Sequence, residues 1–129
     1  SDEILPYPAI EYIPLDINTI NFNENFSNNY PPKLYIFNSL QEAQKKLRFY
    51  DINLSQNLNL NNKLLLFLLN AKVDDIYYRG YNVQMIGKVR ENSYHLFTIP
   101  SQYFYKEKLI FNFYQATGTR ILKEIYLLS

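Results

Sequence analysis

From Lys63 onward the chain alternates apolar and polar residues in short, aromatic-rich runs, the period-two signature of strands with one buried face. Lys63 to Asn70 departs from alternation. It is a compact apolar segment and predicts a central strand covered on both faces. Asp74-Asp75 then predicts a turn. Tyr81, Val83, Met85 and Val89 alternate with Asn82, Gln84 and Lys88 as a half-buried strand, and Glu91-Asn92-Ser93 predicts a second turn. Tyr94 to Ile99 returns as a strand that Pro100 stops, and 101–107 reads as a loop. Leu109 to Tyr114 and Ile121 to Leu128 predict two more strands. Gly118 supplies the cheap positive φ for the hairpin between them.

Upstream, one segment changes period. Lys33 to Phe37 predicts a short strand, followed by Ser39-Leu40-Gln41-Glu42, a capping box whose hydroxyl and carboxylate satisfy free helix amides. Leu40, Ala43 and Leu47 share one face opposite Gln41, Lys45 and Arg48, which predicts a helix over 40–49. Residues 51–62 are polar and Asn-rich, with Leu54, Leu58 and Leu60 spaced to pin the loop to a core. Residues 1–32 read as an extended Pro/Asn-rich leader packed on the domain. In it, Pro6, Pro8 and Pro14 favour edge structure, Ile10 to Ile13 predicts a short edge strand and 23–32 a loop. The expected architecture is a single α+β domain over 33–129. Its sheet is mainly antiparallel, with six or seven strands in hairpins and meanders, and it carries one short helix.

Composition narrows the function classes. A chain of 129 residues with thirteen Tyr, nine Phe, one Met and no Trp suits one aromatic-rich, β-rich domain. A net charge of +1 leaves no electrostatic footprint for nucleic acid or anionic lipid. The absence of cysteine excludes disulfides, thiolate metal sites and a Cys nucleophile. The longest apolar run, Leu64 to Leu69, is too short to span a bilayer, so no transmembrane segment is expected. The abundance of Asn, Ile, Lys and Tyr has the look of an AT-rich genome, so Asn clusters and the sequons at Asn25 and Asn53 carry little functional weight.

No catalytic, metal or cofactor constellation stands out. His95, the one histidine, lies in a predicted strand near Ser93, without a nucleophile-elbow or zinc-helix motif. It reads as an ordinary strand histidine, with a hydrolase built on it as the weaker alternative. Asp74-Asp75 gives only two adjacent carboxylates, which point apart in extended chain and make no calcium loop. Gly80, Gly87 and Gly118 are too dispersed for a phosphate loop. Two aromatic clusters remain: Tyr77, Tyr78, Arg79 and Tyr81, and the loop residues Tyr103, Phe104 and Tyr105. Tyr and Arg dominate protein-binding hot spots, so these seven are the candidate partner-binding residues. Covering the core is the plainer role for the same rings.

The parts Leu34 to Phe37, Ser39 to Glu42, Leu64 to Leu69 and Gly80-Tyr81-Asn82-Val83-Gln84-Met85 with Val89 resemble the bacterial protease-complex-subunit (PrcB-like) domain family. Asn70 stands where that family has a glycine, and Tyr77-Tyr78-Arg79-Gly80 replaces its Pro-Thr-Gly-Gly run, so only the last glycine and the tyrosine carry over. Nothing matches beyond Ile99. The resemblance implies an exported bacterial domain of lipoprotein type, anchored upstream of Ser1, that supports a partner protein without chemistry of its own. The expected function is a non-enzymatic, extracytoplasmic accessory module that binds a protein through a sheet face or its aromatic loops. A small-molecule or glycan binder, with Tyr103 and Tyr105 lining a cleft, is the alternative.

Overall fold

A computed structural model describes residues 12–105 and 107–128. Its strands are β1 (Ile13–Leu15), β2 (Asn18–Asn23), β3 (Lys33–Phe37), β4 (Lys63–Arg79), β5 (Asn82–Pro100), β6 (Lys108–Gln115) and β7 (Arg120–Leu127). The one helix among the described residues, α1, spans Leu40–Phe49, as its apolar spacing predicts. All seven strands join one sheet, including β1 and β2 from the Pro/Asn-rich start of the chain. Residues 10 and 11 of the expected edge strand lie outside the described residues. The Ser39 hydroxyl accepts from the Glu42 amide at 3.3 Å, which supplies one arm of the capping box.

The long hairpin of β4 and β5 organises everything else, and it differs from the expectation of shorter strands separated by turns. Neither Asp74-Asp75 nor Glu91-Asn92-Ser93 reverses the chain. Both lie inside continuous strands, and the reversal comes at Gly80-Tyr81. At Asp74 the ladder slips by one residue, from Val73 opposite Gly87 to Asp75 opposite Ile86. At Asn70 the slip is larger: Leu69 faces Tyr94 whereas Ala71 faces Val89, so residues 90–93 project from the ladder. Such bulges bend a strand and sharpen its twist. Asn70 and Asn92 hold the required left-handed backbone, with φ of 58° and 57°.

The slips also explain the hydrophobic pattern. A one-residue shift exchanges the two faces of a strand. The inward positions of β4 are therefore even at Leu64, Leu66 and Leu68, odd at Ala71 and Val73, and even again at Ile76. Bending folds the hairpin over so that its two halves pack against each other. Leu66, Phe97 and Ile99 of one half, with Leu34 of β3, share one buried cluster with Val83 and Met85 of the other half and Phe111 and Phe113 of β6. The outer face of the first half, with Leu65, Phe67, Leu69 and Leu96, is capped by Ala43 and Leu47 of α1. Leu54, Leu58 and Leu60 of the Asn-rich loop pack there too.

The sheet is mixed, which corrects the expectation of hairpins and meanders throughout. β6 pairs in parallel with β5 over Asn82–Gly87. Parallel neighbours normally need a crossover of a dozen or more residues. Here β5 itself makes the return. Because it folds over, its end at Pro100 comes back towards its start, and the loop 101–107 suffices to place β6 beside Asn82. β7 completes an antiparallel hairpin with β6 across Gly118, whose φ is 95°.

Candidate functional site

The two aromatic clusters converge at the tip of the β4–β5 hairpin. Gly80, with φ of 58° and open space around its α-carbon, makes the two-residue reversal. The Ile110 amide donates to the Tyr81 carbonyl at 2.8 Å and ties β6 to the tip. Tyr78 points inward from β4. Its ring stacks on Tyr103, with centroids 5.7 Å apart, and meets the edge of Phe104 at 5.5 Å. Phe104 is buried in the core cluster and anchors the loop, so it is a structural residue of this site and leaves little ring for a partner. Tyr103 is 45% exposed and Tyr105 88% exposed.

The remaining expected residues are spread more widely. Tyr77 neighbours Tyr78 in sequence and so faces the opposite side of the sheet, in register with Gln84. Arg79 is exposed at the end of β4, and Tyr81 is exposed at the tip with the Lys108 ammonium 6.0 Å from its ring centroid. The structure thus brings together Tyr78, Tyr103 and Phe104, sets Tyr81 and Tyr105 at their margins, and separates Tyr77.

His95 lies in the interior at the bend, only 1% exposed. Its Nδ1 accepts from the Val73 backbone N–H at 3.1 Å, and Nε2 lies 2.9 Å from the Thr19 hydroxyl. An N–H donor at Nδ1 forces the ring hydrogen onto Nε2, which then donates to Thr19. That tautomer is the reverse of what a general base needs. A base would keep Nε2 open towards the hydroxyl and orient Nδ1–H with an acceptor. Desolvation, with help from the Lys72 ammonium, pushes the imidazole from its ordinary 6.5 down to about 4, and Asp74 opposes this weakly. A neutral ring pinned between β2 and β4 is a brace across the bend.

Asp74 forms an ion pair with Lys72 at 2.9 Å. Among the described residues no group of three or more His, Cys, Asp or Glu side chains is placed to hold a metal ion, and no helix is long and apolar enough to cross a membrane.

Sequence reasoning passed over the asparagines. Asn70 is buried, and its Nδ2 donates to Asn28 Oδ1 and to the Tyr30 carbonyl, both at 2.6 Å. Its Oδ1 accepts from Asn28 Nδ2 at 3.2 Å and from the Ser93 amide at 3.3 Å. Asn92 adds an Oδ1 that accepts from the Asn28 amide at 3.2 Å. The network stitches residues 26–30 onto the bend. The sequence signal for it was an Asn ending an apolar run and another inside a polar triplet, both positions where Asn tolerates positive φ. Replacing Asn70 with Ala removes the side-chain bonds, strands the Ser93 amide and strains the backbone, and should cost about 3 kcal/mol. Asn70→Gly relieves the backbone but not the network and should cost about 2 kcal/mol, so urea titration of both variants separates the two contributions.

Scans against protein-family models, against curated proteins and against solved structures found no match for this chain.

Proposed function

We propose that this domain is a non-enzymatic binding module that presents the aromatic end of its β4–β5 hairpin to a partner protein. The observation that carries this is the Tyr78–Tyr103 stack on the Phe104 anchor. It holds loop 101–105 in place, so Tyr103 and Tyr105 are offered with little further ordering cost. Exposed Tyr rings beside cationic residues, here Tyr81 with the Lys108 ammonium 6.0 Å from its ring centroid and Tyr103 and Tyr105 on the loop, have the composition of interface hot spots. The tautomer of His95 supports the absence of a hydrolytic centre at that residue. An extracytoplasmic location goes with this reading through the likeness to the PrcB-like family, and recovery of the chain from the cytosol of fractionated cells would remove that part.

Tyr105 is almost fully exposed, so Tyr105→Ala should change stability by less than about 0.5 kcal/mol. As a hot-spot residue its loss should weaken the complex by about 2 kcal/mol, roughly thirtyfold. A photo-crosslinking side chain at position 105 should give a discrete adduct in the producing cell, reduced by Tyr103→Ala. The same probe at Lys123, exposed on β7, serves as control. Equal adducts at both positions, or no effect of Tyr103→Ala, would move the interface elsewhere.

A further inference from the structure

The asparagine network holds its loop more firmly than a connection between β2 and β3 requires. The Tyr30 amide donates to Asn28 Oδ1 at 3.1 Å, and its carbonyl accepts from Asn70. Its ring meets Tyr50 edge-on, with centroids 5.5 Å apart. Tyr50 is fixed in turn by a 2.9 Å hydroxyl contact with Tyr35 and by Phe67 against its ring. The result is an aromatic side chain, 47% exposed, on a hydrogen-bonded backbone that continues into Pro31-Pro32.

Beside it lies a cavity of about 430 Å³ between this loop and the projecting turn of β5, with Asn29, Tyr30, Pro32, Val89, Glu91 and Asn92 in its wall. That volume falls within the range of small-ligand sites, about 300–1,000 Å³. The wall combines a tyrosine ring and the apolar Pro32 and Val89 with planar polar groups. Asn92 spends its Oδ1 on the Asn28 amide, which leaves its NH2 as a donor. The exposed Asn29 side chain offers both a donor and an acceptor, and the exposed Glu91 carboxylate is an acceptor. Among the described residues the wall has one carboxylate and no cationic side chain, which disfavours phosphates and other anions. A ligand matching this inventory has a flat C–H face for the ring and neighbouring hydroxyls that both donate and accept. Saccharide rings have that chemistry.

We infer that the cavity between residues 28–32 and 89–92 binds a neutral saccharide, with a sugar ring stacked on Tyr30 and its hydroxyls engaged by Glu91 and Asn92. It sits at the bend of the hairpin, apart from the aromatic tip, so either assignment can fail without the other.

The test is backbone and side-chain amide NMR of the full chain titrated separately with maltotriose, cellotriose and chitotriose. Saturable shifts are expected for at least one sugar in the millimolar range, concentrated at Asn29, Tyr30, Glu91 and Asn92. Tyr30→Ala and Glu91→Gln should each weaken binding about tenfold. Glu91 is exposed, so its variant keeps the fold even if loss of the Tyr30–Tyr50 contact loosens the loop. The inference is overturned by no localised shift with any of the three sugars, by shifts elsewhere only, or by shifts undiminished in both variants. An acidic and a basic peptide run in parallel cover the other occupant class, and localised shifts from a peptide with none from the sugars would also overturn it.

Discussion

Gly87→Ala should cost at least about 4 kcal/mol or prevent folding altogether, the largest effect expected of any single-methyl change in this chain. A Cβ at Gly87 would lie 1.8 Å from the Lys72 carbonyl oxygen and 2.9 Å from its carbon. Both atoms belong to backbone, so no rotamer change relieves the contact. The cause is the bulge at Asp74, which brings β4 over its partner where β5 also pairs with β6. A strand glycine of this kind marks close backbone approach and has nothing to do with positive φ. Gly80→Ala is the control. There nothing lies within 4 Å, but φ is 58°, so only the left-handed penalty of about 1 kcal/mol applies. Urea titration or soluble yield distinguishes them. A Gly87→Ala protein as stable as Gly80→Ala would mean that the two strands are not held this close.

His95 should make the fold sensitive to mild acid. Its pKa is about 4 in the folded state against an ordinary 6.5, so the unfolded chain takes up a proton first as pH falls. The contribution is therefore complete above about pH 6.5 and is lost progressively down to about pH 4, amounting to about 3 kcal/mol. His95→Asn offers an oxygen to the Val73 N–H where Nδ1 stood, and it does not titrate. It should be less stable near neutral pH by about 2 kcal/mol through loss of the Thr19 bond and the Phe97 contact. Across the acid window, however, its stability should fall less steeply than that of the parent chain. Parallel slopes would show that carboxylates, and not this imidazole, set the acid limit.

The legible parts of the fold were those governed by local chemistry. Ser39, Ala43 and Leu47 specify α1 to the residue, Leu64 to Leu69 specify a strand buried on both faces, and Gly118 specifies the last hairpin. What escaped was the long bent hairpin. Period-two reading assumes an unbroken register; the slips at Asn70 and Asp74 swap the faces of β4, which therefore reads as a strand and a turn, and the projecting residues 90–93 make β5 read as two strands separated by a turn. The parallel placement of β6 escaped with it, because it depends on that bend. β2 was hidden for a different reason. Its residues Asn18 to Asn23 lie at a sheet edge and are largely exposed, so they lack the apolar alternation of an interior strand.

The candidate site was partly legible for the same reasons. Tyr78, Tyr103 and Phe104 were nominated by residue type, and the structure joins them. Composition could not tell that alternation along β4 sends Tyr77 to the other face, or that Phe104 serves the core. In the sequence Asn28 reads as part of a loop, Asn92 as part of a turn and Asn70 as the end of an apolar run, none with a functional signal. Their role emerges only when residues 40 or more apart in sequence meet, as Asn28 and Asn70 do.

The fold-over of β5 has a consequence for the order of assembly. The β4–β5 ribbon can zip from its Gly80 reversal with local contacts alone, whereas β6 finds its parallel neighbour only after that ribbon has doubled over. Residues at the crease, Gly87 and His95 among them, therefore stand between an early hairpin and the later recruitment of the C-terminal strands. Lesions there should slow refolding as well as lower the equilibrium, and should leave a chain whose last two strands are exposed and unpaired with β5.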